Sequence, residues 1–68
     1  MTNEEKQEYS EYLKKEIRFL LLERLPLERR YLKEAETSGS SRMINLALSN
    51  IKAANLSLSY LKQELEEL

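Results

Sequence analysis

Eight apolar residues, Ile44, Ala47, Ile51, Ala54, Leu58, Leu61, Leu65 and Leu68, follow one another at alternating steps of three and four without a break. That spacing is the a/d seam of a heptad pattern, which keeps one stripe of a helix turned toward a partner helix. Its first half carries Ile and Ala and its second half Leu, so the alanines leave room for a close approach or for a large side chain opposite. The same stretch holds a second apolar row, Leu46, Ala53, Leu56 and Tyr60, and between Met43 and Leu61 its only charge is Lys52. A surface helix turns one apolar stripe inward and a charged face outward. Two apolar faces therefore call for two covers, one within the chain and one from another molecule. The plainer alternative is that Leu46, Leu56 and Tyr60 are singly exposed apolar residues, which are ordinary on protein surfaces.

The chain has 68 residues, which allows one domain at most, residues 1–68. Chains this short rarely bury enough core to stand alone and turn to disulfides, metals or association. Cys and His are both absent. That removes disulfides and thiolate sites, and with them the commonest metal ligand and the commonest general base. Association remains. The formal net charge of −1 supplies no global field toward nucleic acid or acidic lipid. No stretch is apolar enough for a membrane span, and the acidic start MTNEEKQEYSEYLKKE is unlike a secretory signal, so a cytoplasmic location is the expectation.

Thr2 followed by Glu5 fits a capping box, with the carboxylate reaching back to the chain start. Helix 1 is expected over about residues 3–36, with Tyr9, Leu13, Ile17, Leu20, Leu27 and Tyr31 on one face and Arg24 filling the gap. Phe19, Leu21, Leu22, Leu25, Leu32 and Ala35 are read as widening that face, and the run Phe19–Leu22 as the most buried part of the helix. Glu11 and Lys15 stand in the order that favours a surface ion pair. Pro26 lacks the N–H that would bond the Leu22 carbonyl, and it pushes Leu25 out of helical geometry. Helix 1 is therefore kinked or broken there, and the continuity of phase from Leu20 to Tyr31 favours a kink.

The only Gly, Gly39, lies within Thr37–Ser41 and suits the left-handed residue that ends a helix, with Ser40 or Ser41 capping the next. Helix 2 then covers about residues 41–67. A short loop between long helices makes them antiparallel neighbours. Folding back about Gly39 sets Leu13, Ile17 and Leu20 opposite Leu65, Leu61 and Leu58, and sets Arg24, Leu27 and Tyr31 opposite Ala54, Ile51 and Ala47. The fold class is thus all-α, an antiparallel helical hairpin that self-associates into a four-helix-type bundle.

No catalytic constellation, Gly-rich phosphate loop or metal motif is present, so an enzyme is rejected and no cofactor is expected. The row Glu4, Glu8 and Glu11 reads as a solvated face rather than a cation site. The chain reads as a small non-enzymatic regulator or adaptor, acting as an inhibitor or recruiter, that forms a homodimer and binds a larger protein through helical faces. Tyr12, Phe19, Leu46, Ala53, Leu56 and Tyr60 are the expected oligomer or partner interface. A nucleic-acid-binding hairpin dimer is the alternative, using Arg24, Arg29, Arg30, Lys33 and Arg42 near the loop on phosphates, although Glu28, Glu34 and Glu36 interrupt them. A structural or assembly subunit is the third reading. Glutamates gather at the open end of the hairpin and arginines at the loop end, so an antiparallel pair would set opposite charges side by side.

Overall fold

Thr2 starts the first helix. Its hydroxyl oxygen accepts from the Glu5 backbone N–H at 3.1 Å, which satisfies one of the free donors of the first turn. The expected capping box is half made, because the Glu5 carboxylate accepts from the Thr2 hydroxyl instead of reaching the backbone. The computed structural model describes residues 1–68 and is an all-α hairpin of two rods. The first rod is α1 (Asn3–Phe19), a single π-helical turn (Leu20–Arg24) and α2 (Leu25–Ser38) without interruption; the second is α3 (Ser41–Glu67). Gly39 joins them at φ 74°, a left-handed conformation that costs a residue with a Cβ about 1–2 kcal/mol. The Ser40 hydroxyl then accepts from the Met43 N–H at 3.3 Å and caps α3.

The π turn decides the register. Pro26 removes one i→i−4 bond from any helix that contains it. Just before it the ladder widens, and the Leu25 N–H donates five residues back to the Leu20 carbonyl. Contrary to expectation, Leu25 keeps helical dihedrals (φ −62°, ψ −43°), and Pro26 falls in the first turn of α2, where a missing N–H is tolerated. The rod is neither broken nor bent sharply enough to end the helix; it takes in one extra residue.

That residue rotates everything after it. Before the turn the buried stripe is Leu13, Ile17 and Leu20, as the spacing predicts. After it the stripe is Leu25, Glu28, Leu32 and Ala35, one position later than the expected Arg24, Leu27 and Tyr31. Leu27 and Tyr31, assigned to the core from sequence, are exposed, and Leu25 and Ala35, assigned to its edge, are buried. The run Phe19–Leu22 is also not the most buried zone: Leu20 alone points inward, and Leu22 is 68% exposed. On α3, which has no irregularity, Ala47, Ala54 and Leu58 are buried, and Ile44, Ile51, Leu61 and Leu65 are half-buried. Leu20, Leu25, Ala54 and Leu58 form the central cluster, with Ile17, Ile51 and Leu61 packed against it.

The molecule measures 52 × 16 × 11 Å. Its smallest dimension is that of one helix, about 10–12 Å. Domains ordinarily bury their core between two packed layers. This hairpin is a single layer.

Candidate functional site

What a single layer leaves uncovered can be read from helical geometry at 3.6 residues per turn. On α3, Leu46, Ala53 and Tyr60 recur every seven residues along one flank of the seam, and all three are exposed. Leu56 is exposed too, but lies about a sixth of a turn further round, toward the back of the helix. On the first rod, Tyr12 and Phe19 are seven apart, and Leu27 follows eight later. The extra residue of the π turn absorbs the odd step, so Tyr12, Phe19, Leu27 and Tyr31 share one flank.

The two flanks open on the same side of the hairpin, and contacts at both ends show it. Near the loop, Tyr31 and Ala35 line a groove of about 180 Å³ with Met43, Leu46 and Ala47. Near the open end, the Tyr9 hydroxyl donates to the Glu64 carboxylate at 2.5 Å, and the Tyr9 ring stacks on Tyr12 with centroids 6.1 Å apart. That hydrogen bond, with some desolvation and the nearby negative charge, holds the Tyr9 phenol above its ordinary range. The structure thus brings Tyr12, Phe19, Leu46, Ala53 and Tyr60 of the expected interface onto one broad face. It adds Leu27 and Tyr31, which spacing alone had placed in the core. Pro26 marks a disturbance in the helix, and Leu25, Leu32 and Ala35, seven and three residues apart, carry the shifted phase that follows it.

The opposite side differs in character. Leu21 and Leu22 line a depression of about 370 Å³ with Lys14, Ile17, Arg18 and Leu65. Of the five basic residues near the loop, Arg30 and Lys33 line one open depression with Glu34, Thr37 and Ser38, and the five together form no single cluster. Arg24 is half-buried beside the seam, Arg29 and Lys33 share one flank of α2, Arg30 lies on its back, and Arg42 sits on α3 one turn before Leu46. None of them is ion-paired, since the chain's one salt bridge joins Glu11 to Lys14 at 3.9 Å rather than to Lys15. Both groups of that pair are exposed, which limits it to about 0–1 kcal/mol. No three acidic side chains converge where an ion could be held, and no helix is long and apolar enough to cross a membrane. One polar atom is out of place: Glu28 Oε2 is cut off from solvent on the seam without a hydrogen-bond partner.

No protein-family model matches the chain, and neither a curated protein nor a solved structure does.

Proposed function

We propose that the hairpin is a non-catalytic regulator or adaptor that self-associates and binds a larger protein through its helical faces. One observation carries this reading: the molecule is a single layer with too much surface for its mass. A compact monomer of 8.1 kDa exposes roughly 4,500 Å² by the usual scaling, whereas the hairpin exposes 5504 Å². Its radius of gyration is 15.6 Å, against about 11 Å for a globular chain of this length. Large apolar side chains contribute to the surplus, because Phe19, Leu22, Leu46, Leu56 and Tyr60 are all exposed. Phe19, Leu46 and Tyr60 share the broad face, and apolar surface grouped in this way marks interaction sites.

Affinity capture with the tagged chain, followed by titration of the purified binding protein, tests the adaptor reading. Leu22→Glu and Leu56→Glu lie on the outer faces of the two rods, away from the broad face. At least one of them is expected to weaken binding tenfold or more while the helical content is kept. Unchanged affinity in both variants would refute an outer-face contact.

The second reading, a nucleic-acid-binding hairpin dimer, draws support from the unpaired state of Arg24, Arg29, Arg30, Lys33 and Arg42. It is the weaker reading, because these side chains leave the rods in different directions and phosphate tracking needs a continuous basic stripe. Binding to mixed DNA and RNA that falls steeply with salt would promote it. Self-association with no further binding activity would leave the third reading, an assembly subunit.

A further inference from the structure

The broad face is self-complementary. Along α3 it runs Leu46, Asn50, Ala53, Ser57 and Tyr60, large at both ends and small in the middle. We infer that this face is occupied by a second copy of the chain, running antiparallel, with the two α3 helices crossing at Ala53 on a two-fold axis. The inference rests on the self-association proposed above and specifies its partner, face and direction.

Four observations support it. An isologous contact needs a patch that matches its own reverse. Reversal about Ala53 sets Leu46 of one copy against Tyr60 of the other, and the small residues between them let the helices approach closely. It also sets Arg42 against Glu64 of the second copy, opposite charges at both rims, where they fix orientation. On the first rod, Leu25 belongs to the same core cluster as Ala54 and is level with the axis. Reversal about that level brings Tyr31 opposite Phe19 of the second copy, an aromatic pair that the α3 register did not presuppose. Finally, the excess surface of about 1,000 Å² over a compact monomer is close to the roughly 800 Å² per partner of a standard interface. A different helical protein could fill the area, but it would have no reason to match the reversal symmetry.

Single cysteines test this cleanly, because the chain has none of its own. A disulfide needs Cα atoms about 4.4–6.8 Å apart, a distance that residues on the axis meet and residues seven positions away do not. Sedimentation of the unmodified chain is expected to give twice the 8.1 kDa chain mass. Ala53→Cys, an exposed and conservative change, is expected to yield a cross-linked dimer under mild oxidation, with Leu46→Cys and Tyr60→Cys each cross-linking at least tenfold more slowly. Mixing Leu46→Cys with Tyr60→Cys is expected to restore fast cross-linking between the two. A dimer in which Leu46→Cys links to itself faster than Ala53→Cys is parallel or uses another face, which overturns the inference and leaves self-association standing. A chain that stays at 8.1 kDa up to millimolar concentration overturns both and leaves the face to a different protein.

Discussion

The two halves of the first rod obey the same spacing rule and end up in different registers. Up to the first residue of the π turn, Leu13 and Leu20 are buried where the heptad places them. After it, the heptad residues Leu27 and Tyr31 look outward, Tyr31 with 49% of its surface exposed, while Leu25 and Ala35 take their places. The difference is one residue, inserted at the turn where Pro26 has no N–H to give. A single-turn π bulge is the usual way a helix holds an extra residue without ending, and such bulges gather at functional sites. Here the bulge sends two large side chains to the open face and draws two others into the core.

The sharpest way to break this contrast is to remove a residue from each half. Deleting Lys15 rotates Leu13 off the seam and pulls Tyr9 away from Glu64. Leu13 is fully buried, so the expected loss is about 2–5 kcal/mol in urea unfolding, a large part of the total stability of a small domain. Deleting Glu23 together with Pro26→Ala should be nearly neutral against Pro26→Ala alone, within about 1 kcal/mol. The turn then becomes ordinary α-helix, and Leu25, Leu32 and Ala35 stay in phase with Leu20. Equal damage from the two deletions would mean that the extra residue is not held in the π turn.

A second contrast separates neighbours. A straight helix puts Arg24 on the seam and Leu25 beside it, whereas the shifted register does the reverse, with Leu25 only 2% exposed. Leu25→Ala is expected to cost about 2–5 kcal/mol through lost burial and the cavity left behind. Arg24→Ala should cost less than about 1 kcal/mol, the lost packing of its stem. Urea midpoints in the opposite order would restore the regular helix.

Much of this was legible in the sequence wherever the helix is regular. The α3 seam, the Thr2 and Ser40 caps, the left-handed Gly39 and the antiparallel fold-back all follow from local chemistry and an uninterrupted period. So does the flank of Leu46, Ala53 and Tyr60, because nothing in α3 disturbs the count; Leu56, read into the same row, lies further round toward the back of the helix. Arg24, Leu27 and Tyr31 were misplaced for one physical reason. A π turn changes the phase by a residue, and the apolar run Phe19–Leu22 offers a face in every direction, so the pattern there cannot reveal which phase continues. Pro26 announces a disturbance but not its form. What would cover the open face was not legible at all, since apolar exposure does not name an occupant and the second copy proposed above rests on the large–small–large order along α3.

The shift also leaves a cost behind it. It brings Glu28 onto the seam, where a straight helix would have turned it away, and its Oε2 finds no donor there. An acceptor shut from water without a partner costs about 1–3 kcal/mol. Glu28→Leu keeps the stem and drops the oxygens, so a gain of about 1 kcal/mol in urea unfolding is expected. A loss of similar size would place the carboxylate in water and weaken the case for the shifted register at that position.

The smallest effect belongs to the half before the turn, where the register is undisturbed and Tyr9 can reach across to Glu64. The phenol donates to a carboxylate, and its folded-state pKa is raised above 10.0. A raised pKa means that the folded chain holds this proton more tightly than the unfolded one does. The contribution is therefore complete below the unfolded value and fades as pH rises through the folded one, where a phenolate would face a carboxylate. Stability should fall more steeply above pH 10.0 in the unmodified chain than in Tyr9→Phe, which has no proton to lose. The two curves should run parallel from neutral pH up to the onset of phenol ionisation. Because both groups sit at the exposed end of the hairpin, the difference should be small and confined to that window; identical curves through it would show that the cross-rod bond does not form in solution.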